Sequence, residues 1–150
     1  MIEVKDTLRS LQKLACWWRR QLDLAVVGIT GSNGKTSVKE QLAHLMADPT
    51  VVRSPRSYNS RLGVPLSVLQ FPLDASMWLV EVGISEAGGM ARFTPWLKPT
   101  HGIFTGIGDA HDEGFASRDQ KLREKRSLFE GVIALVVPED KGYEGMQSPL

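Results

Sequence analysis

Short apolar runs alternate along the chain with stretches whose apolar residues recur every three or four positions. The runs are Ala25–Thr30 (AVVGIT), Val51–Arg53 (VVR), Met77–Val82 (MWLVEV), Gly102–Ile107 (GIFTGI) and Val132–Val137 (VIALVV). They lack strict alternation, as expected of strands covered on both faces. Leu8, Leu11, Ala15, Trp18 and Leu22 mark a first helix, capped by Asp6 or Thr7. A second starts at about Gly34–Lys35 and puts Val38, Leu42 and Leu45 on one side. A third covers Val64–Leu69, with Pro65 in its first turn. The fourth starts at Ser117, where Ser-Arg-Asp-Gln fits a capping box, and carries Leu122, Leu128 and Phe129. This order predicts an α/β fold, a mostly parallel sheet flanked by helices on both faces. Trp17 and Trp18 are adjacent and cannot share a helix face, so one is expected in the core and the other outside it.

Composition narrows this picture only modestly. The 150 residues suit one domain and, at 42% hydrophobic and 23% charged, an ordinary globular chain. A formal charge of +1 gives no electrostatic reason to expect nucleic acid or an anionic membrane as partner. Cys16 is the single cysteine, which excludes a disulfide framework and a Cys-rich metal site and suits a reducing compartment. No apolar run nears the roughly 18 residues of a membrane span. The opening MIEVKDTLRS is too charged for a signal peptide, so the expected location is the cytoplasm. The tail PEDKGYEGMQSPL loses periodicity, which suggests that the chain stops partway through a domain.

The chemistry concentrates where the first strand meets the second helix, in LAVVGITGSNGKTSVKE. A common phosphate loop reads G-x-x-x-x-G-K-[ST]. With Gly34, Lys35 and Thr36 as its end, the first glycine should fall at Ile29, yet it falls at Gly28 or Gly31. The physical requirements are met nonetheless. Gly31 and Gly34 let the backbone turn its N–H groups inward, and the helix N-terminus adds positive potential. Lys35 can reach outer phosphates, and the Thr36 hydroxyl can ligate magnesium. Glu81 closes an apolar strand at the sheet edge where such folds hold ligands. His111, in GIGDAHDEGF, lies just past the fourth strand on that edge, whereas His44 reads as helix surface and His101 has no such setting. Asn59, in SYNSRLGVP, reads as a turn residue, and DQKLREKR as the solvated face of a helix with paired opposite charges.

Together these stretches resemble the Mur ligase family, and its MurF branch closely. The family loop has the form T-G-x-x-G-K-[TS], as Thr30–Thr36 reads, and this makes Gly31 the first functional glycine. TSVKE, YNSRLGVPLSVL, EVGISEAGGM and IGDAHDEGF follow in the family's order, and the last two are similar to the form fused to alanine racemase. The likeness covers about Asp6 to Phe129. It implies that Gly31, Ser32, Asn33, Gly34, Lys35, Thr36 and Ser37 hold ATP phosphates and that Thr36, Glu81 and His111 hold magnesium. It also places Asn59 between nucleotide and substrate. A carbamylated lysine of the family has its best-placed counterpart in Lys125, with Lys121 as second choice. Lys35, Glu81, His111 and Lys125 are thus the implied catalytic set. Three positions depart from the pattern: Gly106 stands for an asparagine, Gly89 for a glutamate, and Ser127 for a glutamate after the lysine.

The implied reaction joins UDP-N-acetylmuramoyl-tripeptide to D-alanyl-D-alanine through an acyl phosphate, in peptidoglycan synthesis. Mur ligases have three domains, and residues 1–150 correspond to part of the central ATP-binding one. The UDP-sugar and carboxyl-terminal domains are expected to be absent, and the chain is not expected to ligate by itself. Two other readings fit the same residues: a different Mur or folylpolyglutamate synthase-like ligase, and a non-catalytic nucleotide-binding module.

Overall fold

The apolar runs pair into one parallel sheet. The computed structural model describes residues 3–109 and 112–139. Its strands are β1 (Ala25–Thr30), β2 (Val51–Arg53), β3 (Met77–Glu81), β4 (His101–Phe104) and β5 (Ala134–Val136), in the order β2-β3-β1-β4-β5. All four pairings are parallel. β1 and β2 match their sequence-based limits, and the other strands are shorter than expected. The β3 ladder ends at Glu81, although the Val82 N–H still donates to Ile29 O at 2.9 Å. β4 ends before Thr105 because the chain turns there, at Gly106 (φ +108), toward the glycine loop. Val132, Ile133 and Val137 lie outside β5, an edge strand paired only with β4.

The helices cover both faces, as the pattern predicts, but unequally. α2 (Lys35–Met46) lies on one face, its Val38, Leu42 and Ala43 packing on Val27, Ile29 and Leu79. α1 (Thr7–Arg19), α3 (Gly63–Val68) and α4 (Thr94–Leu97) belong to the larger core on the other face, around Val26, Trp78, Val80 and Phe104. Aromatic edges close this core: Phe71 meets Trp78 at 5.2 Å and Phe104 meets Phe129 at 6.4 Å, both T-shaped. Trp18 packs against it and donates its indole N–H to Phe71 O, while Trp17 is exposed. α4 and the short 3₁₀ turn Met90–Arg92 before it are not expected from the sequence. Met90, Phe93 and Leu97 do recur at helical spacing, but Gly88, Gly89 and Pro95 hide the signal.

The helix ends show what local pattern misses. Asp6 is the cap of α1, its carboxylate accepting from Arg9 N at 2.9 Å. Leu22 is buried but lies beyond that helix. Leu45 is 79% exposed, not inward: α2 lies over β1, β2 and β3, and its last turn falls outside that footprint. His44 is exposed, as read. α5 (Arg118–Arg126) is capped by Ser117, which accepts from Gln120 N at 3.1 Å. Gln120 reaches back one residue further than a capping box requires, to Ala116 N. Leu128 and Phe129 are buried, but on a separate 3₁₀ turn, Ser127–Phe129. Among the described residues no helix is long and apolar enough to cross a membrane.

Gly102 in β4 shows how closely this turn packs on the sheet, since a Cβ there would lie 2.4 Å from Phe129 Cδ1 and 2.7 Å from Leu135 Cδ1. Gly102→Ala should therefore destabilise the chain by about 1–3 kcal/mol, read as a lowered urea midpoint at unchanged slope.

Candidate functional site

The register between β1 and β3 sets Ile29 beside Glu81, so the loop leaving β1 starts next to the carboxylate that ends β3. Both lie on the carboxyl edge of the sheet, where doubly wound folds open their ligand crevice. Thr30 is fully buried and donates its hydroxyl to Val82 O at 2.8 Å, tying the two strand ends together.

The loop from Gly31 to Gly34 is fixed by the exit of β4. Ser32 N donates to Gly106 O at 2.9 Å, and Ser32 Oγ to Gly108 O at 3.0 Å. Thr105 Oγ1 donates to Asn33 O at 2.6 Å. Gly31 sits at φ +148, and a Cβ there would lie 2.1 Å from Thr105 Oγ1; Gly34 caps α2 at φ +80. Gly28 lies inside β1 against Pro99 and Leu128 and takes no part in the loop. The glycine spacing is thereby resolved: the turn runs from Gly31, and Gly28 is a packing residue. Gly106, where the pattern has an asparagine, supplies the carbonyl that holds Ser32. Ser37 is exposed on the first turn of α2.

Three ammonium groups converge on this loop. Lys35 Nζ donates to Gly31 O (3.0 Å) and Ser32 O (2.9 Å). Lys125 Nζ donates to Gly31 O at 2.9 Å, and Lys121 Nζ to Gly108 O at 2.6 Å. DQKLREKR is therefore not simply a solvated face: Lys121 and Lys125, four residues apart, both point inward and are buried. Burial pulls the Lys125 ammonium down from 10.5 to about 8, with repulsion from Lys35 and then Lys121 adding to it. Lys35 is lowered as well, chiefly by burial, with Glu81 opposing and Lys121 assisting.

Glu81 is 1% exposed, on an interior strand, which rules out a water-facing edge charge. Thr36 Oγ1 donates to its Oε2 at 2.7 Å, and Asn59 Nδ2 to its Oε1 at 2.6 Å. Asn59, which spacing alone makes a turn residue, thus reaches the carboxylate from the β2–α3 loop. Lys39 is fully buried, with its Nζ 3.8 Å from Glu81 Oε2. The apolar pattern does not single out Lys39. Its signal is the pair Lys35 and Lys39 at i, i+4, which puts a second cation beside the first on α2. His111 lies outside the described residues. The turn Asp112–Gly114 docks on the segment after β3, Gly114 O accepting from Ala87 N at 3.3 Å. His101 opens β4, with Nδ1 2.9 Å from Thr100 Oγ1.

Hard oxygen donors suit magnesium, and the Thr36 hydroxyl and Glu81 carboxylate already touch beside a phosphate-type loop. Among the described residues no three His, Cys, Asp or Glu side chains gather to hold an ion by themselves. A cation here would draw its remaining ligands from phosphate oxygens and water.

Residues 29–147 match the Mur ligase middle domain. The chain belongs to the Mur ligase family. Its relatives include the UDP-N-acetylmuramoyl-tripeptide–D-alanyl-D-alanine ligases of Bacillus subtilis, 32% identical over 88% of this chain and 29% of that protein, and of Escherichia coli, 30% identical over 97% and 33%. Among solved structures, MurF from Acinetobacter baumannii superposes at a TM-score of 0.86, with 26% identity over 97% of this chain and 33% of that one. MurF from Thermotoga maritima in complex with ADP gives 0.83, with 28% identity over 93% and 34%. The Mur ligase chain thus spans about a third of the length of the relatives it matches.

The lysine cluster sets a pH dependence. The folded value of Lys125 lies below that of the free amine, so the unfolded chain holds the extra proton and stability rises between pH 8 and 10.5. Lys125→Met removes that rise, which amounts to about 3 kcal/mol at most. Urea unfolding at pH 7 and at pH 10 should show the variant gaining on wild type at the lower pH and losing that gain at the higher.

Proposed function

We propose that this chain is the ATP-binding part of a MurF-type ligase, and that the observation carrying this reading is the convergence of Lys35, Lys121 and Lys125 on the glycine loop and the β4 exit that holds it, with Thr36, two residues past Gly34, touching Glu81. The cations and the N-terminal amides of α2 attract and orient a polyphosphate. Lys35 turns from the loop carbonyls to the outer phosphates. Thr36 and Glu81 would hold magnesium, with His111 as a third ligand; the ion supplies charge neutralisation on the transferring phosphoryl group. In the complete protein the tripeptide carboxylate attacks the γ-phosphate, and the amine of D-alanyl-D-alanine displaces phosphate from the acyl phosphate. This chain's contribution is positioning and electrostatic stabilisation. The substrates and the two further domains are carried over from relatives of about three times this length. A cytoplasmic setting follows from ATP and a nucleotide-sugar as substrates.

Lys125 fits the role of the carbamylated lysine better than Lys121 does. A pKa near 8 leaves a usable fraction of neutral amine at neutral pH, the form that adds carbon dioxide. The carbamate places a negative charge between two cations and so relieves their repulsion. With ¹³C-bicarbonate, a carbamate carbon signal should appear, grow as pH rises toward 8, and vanish in Lys125→Gln.

Calorimetric titration should show Mg-ATP binding to the chain, weakened about 10- to 100-fold by Lys35→Ala. Binding indifferent to Lys35 would favour the non-catalytic module. Supplied with both ligation substrates and Mg-ATP, the chain should form no amide.

A further inference from the structure

Lys39 is unaccounted for by nucleotide binding. It sits one turn behind Lys35, fully buried, and its ammonium meets the segment after β2. There it donates to Ser54 O at 2.7 Å and to Arg56 O, and it lies 3.3 Å from Glu40 Oε1 and 3.8 Å from Glu81 Oε2. Arg56 adopts φ +48, a left-handed conformation that a non-glycine residue holds only when its surroundings enforce it. The carbonyl of this residue is one of the two that Lys39 binds. Asn59 lies three residues further along the same segment, and its amide holds the other oxygen of Glu81.

The cation therefore controls both ends of one carboxylate. It faces Oε2 directly, and it pins the segment that delivers Asn59 to Oε1. Thr36 and Asn59 are neutral, and among the described residues Lys39 is the one cation within ion-pair distance of Glu81, with Lys35 acting on it from further off.

We propose that Lys39 is a positioning residue for the magnesium site: it holds Glu81 in one orientation, and it does so without touching nucleotide. The inference rests on the reading of Thr36 and Glu81 as magnesium ligands. Loss of an outer partner of this kind weakens metal binding about 10- to 100-fold. The signature is selective, because Lys35 and the loop amides still bind phosphate when Lys39 is changed.

The test titrates ATP into wild type, Lys39→Met and Lys39→Arg, each with EDTA and with magnesium, with folding checked by circular dichroism. Wild type should bind ATP more tightly with magnesium. Lys39→Met should match wild-type affinity in EDTA within about twofold and lose about tenfold of the gain from magnesium. Lys39→Arg, which keeps the charge, should recover part of that gain. A folded Lys39→Met with the full magnesium gain overturns the proposal. Equal losses with and without metal, or failure of both variants to fold, reduce Lys39 to a structural tether and overturn it too. A wild type with no magnesium gain overturns the metal reading of Glu81 itself, and this inference with it.

Discussion

One buried carboxylate constrains more of this molecule than any other group. Glu81 ends an interior strand at 1% exposure, so its carboxylate depends on partners that the surrounding elements supply. Thr36 answers from the phosphate-loop helix, Asn59 from the segment after β2, and Lys39 from one turn deeper in α2. Those partners come from elements far apart in sequence, and the parallel register of β1 and β3 is what brings them together. Shifting that register by one residue would turn Glu81 to the opposite face of the sheet.

The glycine loop is built on the opposite electrostatic principle. Lys35, Lys121 and Lys125 crowd around it and donate to the carbonyls of Gly31, Ser32 and Gly108. Lys125 is depressed first by its burial and then by the nearby Lys35 and Lys121. A site that is costly while its cations face one another stores affinity for an anion that separates their fields. Thr36 touches Glu81 and follows Lys35 directly in the chain, which suits a metal beside the carboxylate and phosphate beside the lysines.

Several features were legible in the chain because they depend on near neighbours. The apolar run AVVGIT, the Gly-Lys-Thr turn and the capping residues Asp6 and Ser117 are set by local sterics and hydrogen bonds, and each stands where expected. The resemblance carried by Thr30–Thr36 and the motifs after it extended this to the family, because ordered motifs encode a shared site. The buried lysines of α5 were not legible locally. RDQKLREKR is almost wholly polar, and helical periodicity cannot separate a lysine facing water from one facing a phosphate loop.

By itself, then, the sequence determined the α/β class, the glycine loop that turns at Gly31, and the residues available for chemistry. The tertiary structure decided how those residues pair. Asn59 became a carboxylate partner, Lys39 its buried counter-charge, and Leu45 a surface residue, although local pattern implied otherwise for Asn59 and Leu45 and was silent on Lys39. The reason is physical: a side chain's propensity and spacing are properties of its own segment, whereas the desolvation of a charge depends on which distant segments close over it.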